Sequence, residues 1–262
     1  MKEQNLIKAA FFDIDGTLYD HQAHQIPDKH QRMLELLHQK GIKVCLCTGR
    51  ALPLLENLKI LSLFPWDGIV AGNGSYVYDQ DLHPLFEDPI SKKSAEAIFK
   101  LASKENIGIF AAGNCALITQ EDPITLELLH KVSCVNIPCR APKKEDAFCI
   151  LSLCVEDTQA KRRDYESIPN VQVLYNLLSV DIMKKGLSKY HGIRLLMLHF
   201  GFDPRAYMAF GDALNDLEML QHASLAGAME DGDPRILAKI SNHVPSVKVG
   251  GIYDFLKERG IL

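Results

Sequence analysis

Phe11-Phe12-Asp13-Ile14-Asp15-Gly16-Thr17-Leu18 ends an apolar run that opens at residue 6, and aromatic side chains give way there to two carboxylates, a glycine and a hydroxyl. Strands of a parallel sheet are covered on both faces and read as apolar almost throughout, and ligands collect beyond their carboxyl ends. The stretch therefore predicts a buried strand that delivers acid to a loop. Asp13 and Asp15 are two residues apart, so their side chains start toward one side while the strand lasts, and Gly16 lets the chain turn at once. Two carboxylates at one spot repel each other unless a cation, a proton or a strong donor compensates them. Mg²⁺ suits the pair, because it takes oxygen ligands and keeps positions open for water and for a substrate phosphate. The plainer use of an acid behind a strand is a helix cap, but a cap needs only one.

The same layout recurs downstream. Residues 42–47 read as a second apolar strand ending in Thr48-Gly49-Arg50, with a helix pattern over 51–61 behind it. A hydroxyl and a glycine at a strand end, before a helix, are well placed to hold a phosphate oxygen. Residues 66–71 form a third strand, and Gly72-Asn73-Gly74-Ser75 then turns the chain into Tyr76-Val77-Tyr78, a hairpin. Residues 206–210 end in Gly211-Asp212-Ala213-Leu214-Asn215-Asp216 before a helix to residue 220. Asp212 is expected to cap that helix, with Asp216 four residues on near the same face and Asn215 in the same turn. Pro27 opens a helix that Gly41 closes, residues 224–229 make one further strand, and helices follow over 234–240 and 250–259. His21 and His24 read as loop histidines rather than zinc ligands, since no cysteine or second histidine pair completes a soft site.

Between these blocks the pattern changes. Residues 83–184 alternate strand-like runs and helices with no acid at a strand end: a helix over 91–104, extended runs at 108–112, 115–119 and 147–155, a Lys/Arg-rich helix over 158–165, and extended runs at 171–174 and 178–183. This is an inserted α+β domain. The core pattern resumes at Gly186-Leu187-Ser188-Lys189, which opens a helix carrying Ile193, Leu195, Leu196, Leu198 and Phe200. The expected division is core at 1–82, insertion at 83–185 and core again at 186–262.

Composition narrows the class. Of 262 residues, 47% are apolar and 24% charged, ordinary globular usage, and no run is long enough to span a membrane, so a soluble protein is expected. The first residues lack a secretory pattern, and the seven cysteines form no Cys-x-x-Cys pair, which fits a reducing cytoplasm. A formal charge of −4 offers no attraction to nucleic acid, and Lys161-Arg162-Arg163 reads as a solvated helix face.

Asp13-Ile14-Asp15-Gly16-Thr17 resembles the signature of the haloacid dehalogenase superfamily. Thr48-Gly49-Arg50 is similar to its second motif and Gly186-Leu187-Ser188-Lys189 to its third, and the run from Gly211-Asp212 to Asn215-Asp216 matches its fourth without a change. The place and size of the insertion point to the Cof-like branch with the large α/β cap, called C2 or type IIB. The resemblance implies a Rossmann-like, doubly wound parallel core and a Mg²⁺-dependent phosphatase acting on a small phosphorylated metabolite, such as a sugar phosphate, nucleotide or cofactor phosphate. It assigns Asp13 as nucleophile, forming an aspartyl-phosphate, and Asp15 as acid and base. It implies metal binding by Asp13, Asp212 and the backbone carbonyl of Asp15, and phosphate binding by Thr48, Gly49, Lys189 and Asn215. Asp216 is expected behind them, orienting the metal's waters or Lys189, and Asn73 is expected to face the pocket. Selectivity is expected in the cap, closing over the site. A phosphomutase of the same fold would need an arginine cluster for a second phosphate, which the insertion does not display. A catalytically silent phosphate-binding module would have lost an essential group. Glu230-Asp231 departs from the family's usual Gly-Asn-Ala, and is expected to add negative charge at the site rim. No motif names the metabolite or the oligomeric state.

Overall fold

The computed structural model describes residues 7–155, 165–175 and 179–262. The Lys/Arg-rich helix expected at 158–165 lies outside them except for its last residue, as does the first residue of the run at 178–183.

Ala9–Phe12, four residues without a polar side chain, form β1, and all four are fully buried. Enclosing Phe11 and Phe12 stabilises the fold by about 1.5–3 kcal/mol each. Such a strand needs partners on both edges, and β1 has them: β2 (Lys43–Cys47) on one side and β11 (Tyr207–Gly211) on the other, both parallel. The sheet continues through β3 (Gly68–Ala71), β4 (Tyr76–Asp79) and β5 (Pro84–Glu87) beyond β2, and through β12 (Leu225–Met229) and β13 (His243–Val244) beyond β11. Among the described residues the order is β13-β12-β11-β1-β2-β3-β4-β5, parallel from β13 to β3, with β4 returning antiparallel to β3. The chain leaves β1 toward β2 and leaves β11 toward β12, in opposite directions. The sheet order therefore reverses between β1 and β11, where a crevice opens at the carboxyl ends.

Alternation along the strands sorts their side chains to two faces. Phe11 and Tyr207, edge to face at 5.5 Å, join a core with Ile193, Leu196 and Met197 of helix α5 (Lys189–His199) and Met219 and Leu220 of α6 (Leu217–His222). Phe12 and Phe210 stack at 5.6 Å, and Phe210 meets Phe255 of α8 (Gly251–Glu258), which packs beside α1 (Asp28–Gln39). Gly74, at φ 90°, turns the hairpin between β3 and β4, and a Cβ there would lie 2.1 Å from the Ser188 carbonyl oxygen. A side chain at that turn would push away the start of α5. The short helix α7 (Pro234–Leu237) precedes β13.

The second compact unit takes in Arg50–Leu63 and Glu87–Leu187, the first the chain through Gly49, Phe64–Phe86 and Ser188–Leu262. It is an antiparallel sheet in the order β7-β6-β8-β10-β9, from β6 (Gly108–Gly113), β7 (Ala116–Ile118), β8 (Phe148–Cys154), β9 (Val171–Tyr175) and β10 (Ser179–Lys184). Helices α3 (Lys92–Lys104) and α4 (Pro123–Lys131) pack on it. Helix α4 was not anticipated, although Asp122-Pro123 is a helix-start signal: the Asp122 carboxylate accepts from the backbone of Ile124 and Thr125, both at 3.0 Å. The helix expected over 51–61 is shorter. α2 (Leu52–Asn57) ends before Lys59, whose φ of 58° breaks it, and a 3₁₀ turn follows at Ile60–Ser62. In this unit the Arg50 guanidinium donates to the Val132 carbonyl at 2.7 Å, a structural contact. All seven cysteines are free thiols, and among the described residues no helix is long and apolar enough to cross a membrane.

Candidate active site

The strand ends lie level along one edge of the sheet. Phe12 stands opposite Phe210 and Leu46, and the Asp13 N–H donates to the Phe210 carbonyl at 3.0 Å. Thr48 follows β2 directly and donates its N–H to Val70 at 2.8 Å. Asp13, Thr48 and Asp212 are thus each the first residue past a strand, with Asp13 and Asp212 on either side of the point where the order reverses.

Asp13, Asp212 and Asp216 each place a carboxylate oxygen within 4.8 Å of the others. The Lys189 ammonium, at the first position of α5 and 1% exposed, donates to Asp13 Oδ1 and to Asp216 Oδ1, both at 2.5 Å. Ser188 sets that lysine by capping α5, its Oγ accepting from the His191 N–H at 3.2 Å.

The cap expected from Asp212 belongs to Asp216. The chain after Asp212 makes a tight 3₁₀ turn, Leu214–Asp216, and this carries Asp216 back beneath the strand end. Its Oδ2 accepts from the backbone N–H of Asp212 at 3.1 Å and of Ala213 at 2.9 Å. Gly211 makes the fit possible, since a Cβ there would stand 2.4 Å from Asp216 Cγ. Both Asp216 oxygens are therefore engaged, one by Lys189 and one by the backbone.

Three acids face one ammonium, and the imbalance shows in their proton affinities. Burial, opposed by Lys189 and reinforced by Asp216, Asp212 and Asp15, raises the Asp13 carboxyl well above the usual carboxylate range. Burial and the charge of Asp216 push Asp212 up to about 7, against the pull of Lys189. Burial works against the Lys189 charge, but Asp13 and Asp216 outweigh it and hold its proton more tightly than usual. A divalent cation that prefers oxygen would relieve this charge, and the cluster of Asp13, Asp212 and Asp216 could hold one. Gly16 keeps that space clear: at φ 75°, a Cβ there would lie 2.5 Å from Asp212 Oδ2.

Asp15 has different surroundings. Its side chain is 38% exposed, and its Oδ1 lies 2.6 Å from His21 Nε2. Two carboxylates two residues apart, one buried beside a lysine and one half-exposed beside a histidine, are suited to different chemical roles.

Thr48 is buried and its carbonyl accepts from the Asn73 N–H at 3.0 Å. Asn73 has φ 55° and accepts from the Asn215 side-chain amide at 3.0 Å. A Cβ at Gly49 would come 3.3 Å from the Asn73 amide nitrogen. Asn73 thus ties together Thr48 and Asn215 and lies beside Gly49, three residues expected to hold phosphate. Glu230 and Asp231 keep their charge on a loop whose next residue, Gly232, packs against Asp212, where a Cβ would lie 2.5 Å from the Asp212 carbonyl oxygen. Glu230 accepts from the Ser246 N–H at 3.2 Å and Asp231 from the Ser246 hydroxyl at 2.7 Å, so both acids anchor the loop before α8. Sequence reasoning missed the His21 contact with Asp15, because a histidine six residues past an acid has no periodic signature in a loop.

A family model described as haloacid dehalogenase-like hydrolase matches residues 10–256. YkrA of Bacillus subtilis (strain 168), provisionally named a phosphatase, is 28% identical over 97% of this chain and 98% of its own. The HMP-PP phosphatase of Cronobacter sakazakii is 27% identical over 90% of this chain and 88% of its own. Among solved structures, the subclass IIB sugar phosphatase BT4131 superposes with a TM-score of 0.83 at 25% identity, covering 97% of this chain and all of that one.

Proposed function

Because the chain belongs to the haloacid dehalogenase-like hydrolase family, within its Cof-like phosphatases, we propose that it hydrolyses a small phosphorylated metabolite through an aspartyl-phosphate on Asp13, with Mg²⁺ as cofactor. The observation that carries this reading is the buried Asp13 carboxylate, held by Lys189 and level with Asp212 on the neighbouring strand end.

An Asp13 oxygen attacks phosphorus in line. A new P–O bond forms to Asp13 as the bond to the substrate oxygen breaks, and the departing oxygen takes a proton from Asp15. Asp15, now a carboxylate, takes a proton from the water that attacks the aspartyl-phosphate, releasing inorganic phosphate and restoring both acids. Thr48, the Gly49 backbone, Lys189 and Asn215 orient the transferring group's oxygens. Asp13, Asp212 and the Asp15 carbonyl would hold Mg²⁺, which would supply neutralisation of the charge on the phosphoryl group. Asp216 keeps Lys189 and the Asp212 backbone in place. Residues 83–185 are the proposed cap that selects substrate. Relatives carry names for different small phosphorylated compounds, among them HMP-PP and 5-amino-6-(5-phospho-D-ribitylamino)uracil, which supports a small metabolite as substrate.

Phosphate release from a panel of sugar, nucleotide and cofactor phosphates, followed by acid quench with ³²P-labelled substrate, tests the proposal. Free phosphate and a labelled wild-type protein are expected, with no label on Asp13→Asn. Phosphate moved within the substrate without release indicates a mutase, and neither release nor label indicates a silent module.

A further inference from the structure

The loop after β1 is built more firmly than a passive connection requires. The backbone of Asp20 and Gln25 pairs in both directions, at 2.9 and 3.3 Å. The Asp20 carboxylate accepts from the Gln22 N–H at 2.8 Å and the Ala23 N–H at 3.3 Å, closing the turn from inside. Tyr19, 5% exposed, presents its ring to the His21 ring edge-on at 5.2 Å. The imidazole is thereby fixed along its backbone and on one side, and its Nε2 meets Asp15 Oδ1 at 2.6 Å. This length is that of a short, direct hydrogen bond.

From this geometry we propose that His21 is a positioning residue for Asp15: its Nε2–H holds one oxygen of the carboxyl group so that the other faces the departing substrate oxygen. The inference rests on the reading of Asp15 as acid and base. A half-exposed carboxyl group turns freely about its last bond unless something restrains it, and an acid that has to meet an alkoxide as the P–O bond breaks loses effectiveness when misaimed. Asp13 is restrained by Lys189, and His21 does the same for Asp15. His21 neither gives nor takes the transferred proton. Asp15 gives it to the leaving oxygen, and regains one from the attacking water.

The test uses kcat/KM, which reports events through the first irreversible step, for 4-nitrophenyl phosphate, phenyl phosphate and glycerol 2-phosphate. The proteins are wild type, Asp15→Ala, His21→Ala and His21→Gln, each first checked for an unchanged melting temperature. A good leaving group departs without an acid and an alkoxide does not, so His21→Ala should lose about 10- to 100-fold on glycerol 2-phosphate and less than about threefold on 4-nitrophenyl phosphate. His21→Gln presents an amide N–H at the same reach and should recover most of the loss. A steep leaving-group dependence in Asp15→Ala, with equal or no losses across the three substrates in His21→Ala, overturns the role of His21 and leaves Asp15 as the acid. A selective loss that His21→Gln does not repair also overturns it. A flat response in Asp15→Ala removes the acid–base reading itself, and the role of His21 with it.

Discussion

Replacing Lys189 by methionine keeps the volume and the helix but removes the one ammonium that faces Asp13 and Asp216. Lys189 is 1% exposed, and it meets both acids at 2.5 Å, so the pair is screened little by bulk solvent. Breaking a buried pair by deleting one partner costs about 3–5 kcal/mol. At roughly 2–4 °C per kcal/mol for a chain of this size, the melting temperature should fall by about 6–20 °C in chelator at pH 8. The loss should also depend on pH in a set direction. Burial already raises Asp13, and Asp212 to about 7, above the ordinary 3.8, and losing the ammonium raises them further. A carboxyl group whose folded-state pKa is raised contributes stability that is complete below its unfolded pKa and is lost as pH rises through the folded one. The deficit of Lys189→Met should therefore be widest near pH 8 and should narrow toward about pH 5.5, as the acids take up protons. Trp66 is the only tryptophan, is 5% exposed and sits before β3, so its fluorescence during melting reads the core unit directly. A melting temperature within about 2 °C of wild type at pH 8, or a deficit equal at both pH values, would refute the account of Lys189 as the counter-charge of the acid cluster.

Asp13→Asn should end turnover while the Trp66 melting transition remains, because the amide is the same size but is not a nucleophile; phosphate release measures the first and fluorescence the second. Chelator should abolish activity and Mg²⁺ should restore it, with Mn²⁺ substituting and Ca²⁺ inhibiting; activity unchanged in excess chelator would remove the metal site. Asp212→Ala should raise the Mg²⁺ requirement steeply, whereas Asp216→Ala, which frees Lys189 and two backbone N–H groups without removing a metal donor, should cost about 10- to 100-fold in kcat/KM. Protons compete with the cation for Asp212, whose metal-free pKa is about 7, so the rise in melting temperature on adding Mg²⁺ should grow between about pH 5.5 and pH 8.

The sequence by itself determined the elements whose cause is local. Apolar runs as short as Ala9–Phe12 and Tyr207–Gly211, bounded by acids and glycine, read as strands of a covered sheet, and the residues past the ends of parallel strands are carried to one edge. Asp13, Thr48 and Asp212 were legible for this reason, whereas Lys189, at a helix start, was legible only through the resemblance of Gly186-Leu187-Ser188-Lys189 to a family motif. Contacts whose cause is not local were decided by the tertiary structure. Asp212 and Asp216 have the same charge four residues apart, and only the tight turn at Leu214–Asp216, with Gly211 leaving room, selects Asp216 for the backbone and frees Asp212. Glu230 and Asp231 read only as added charge until Ser246 is seen between them, brought in by the pairing of β12 with β13, which shows that they also anchor a loop. His21 reads as an ordinary loop histidine until the closed turn at Asp20 delivers its ring to Asp15. A side chain in a loop takes its direction from hydrogen bonds that close only once the chain is folded, and no spacing along the sequence encodes that direction.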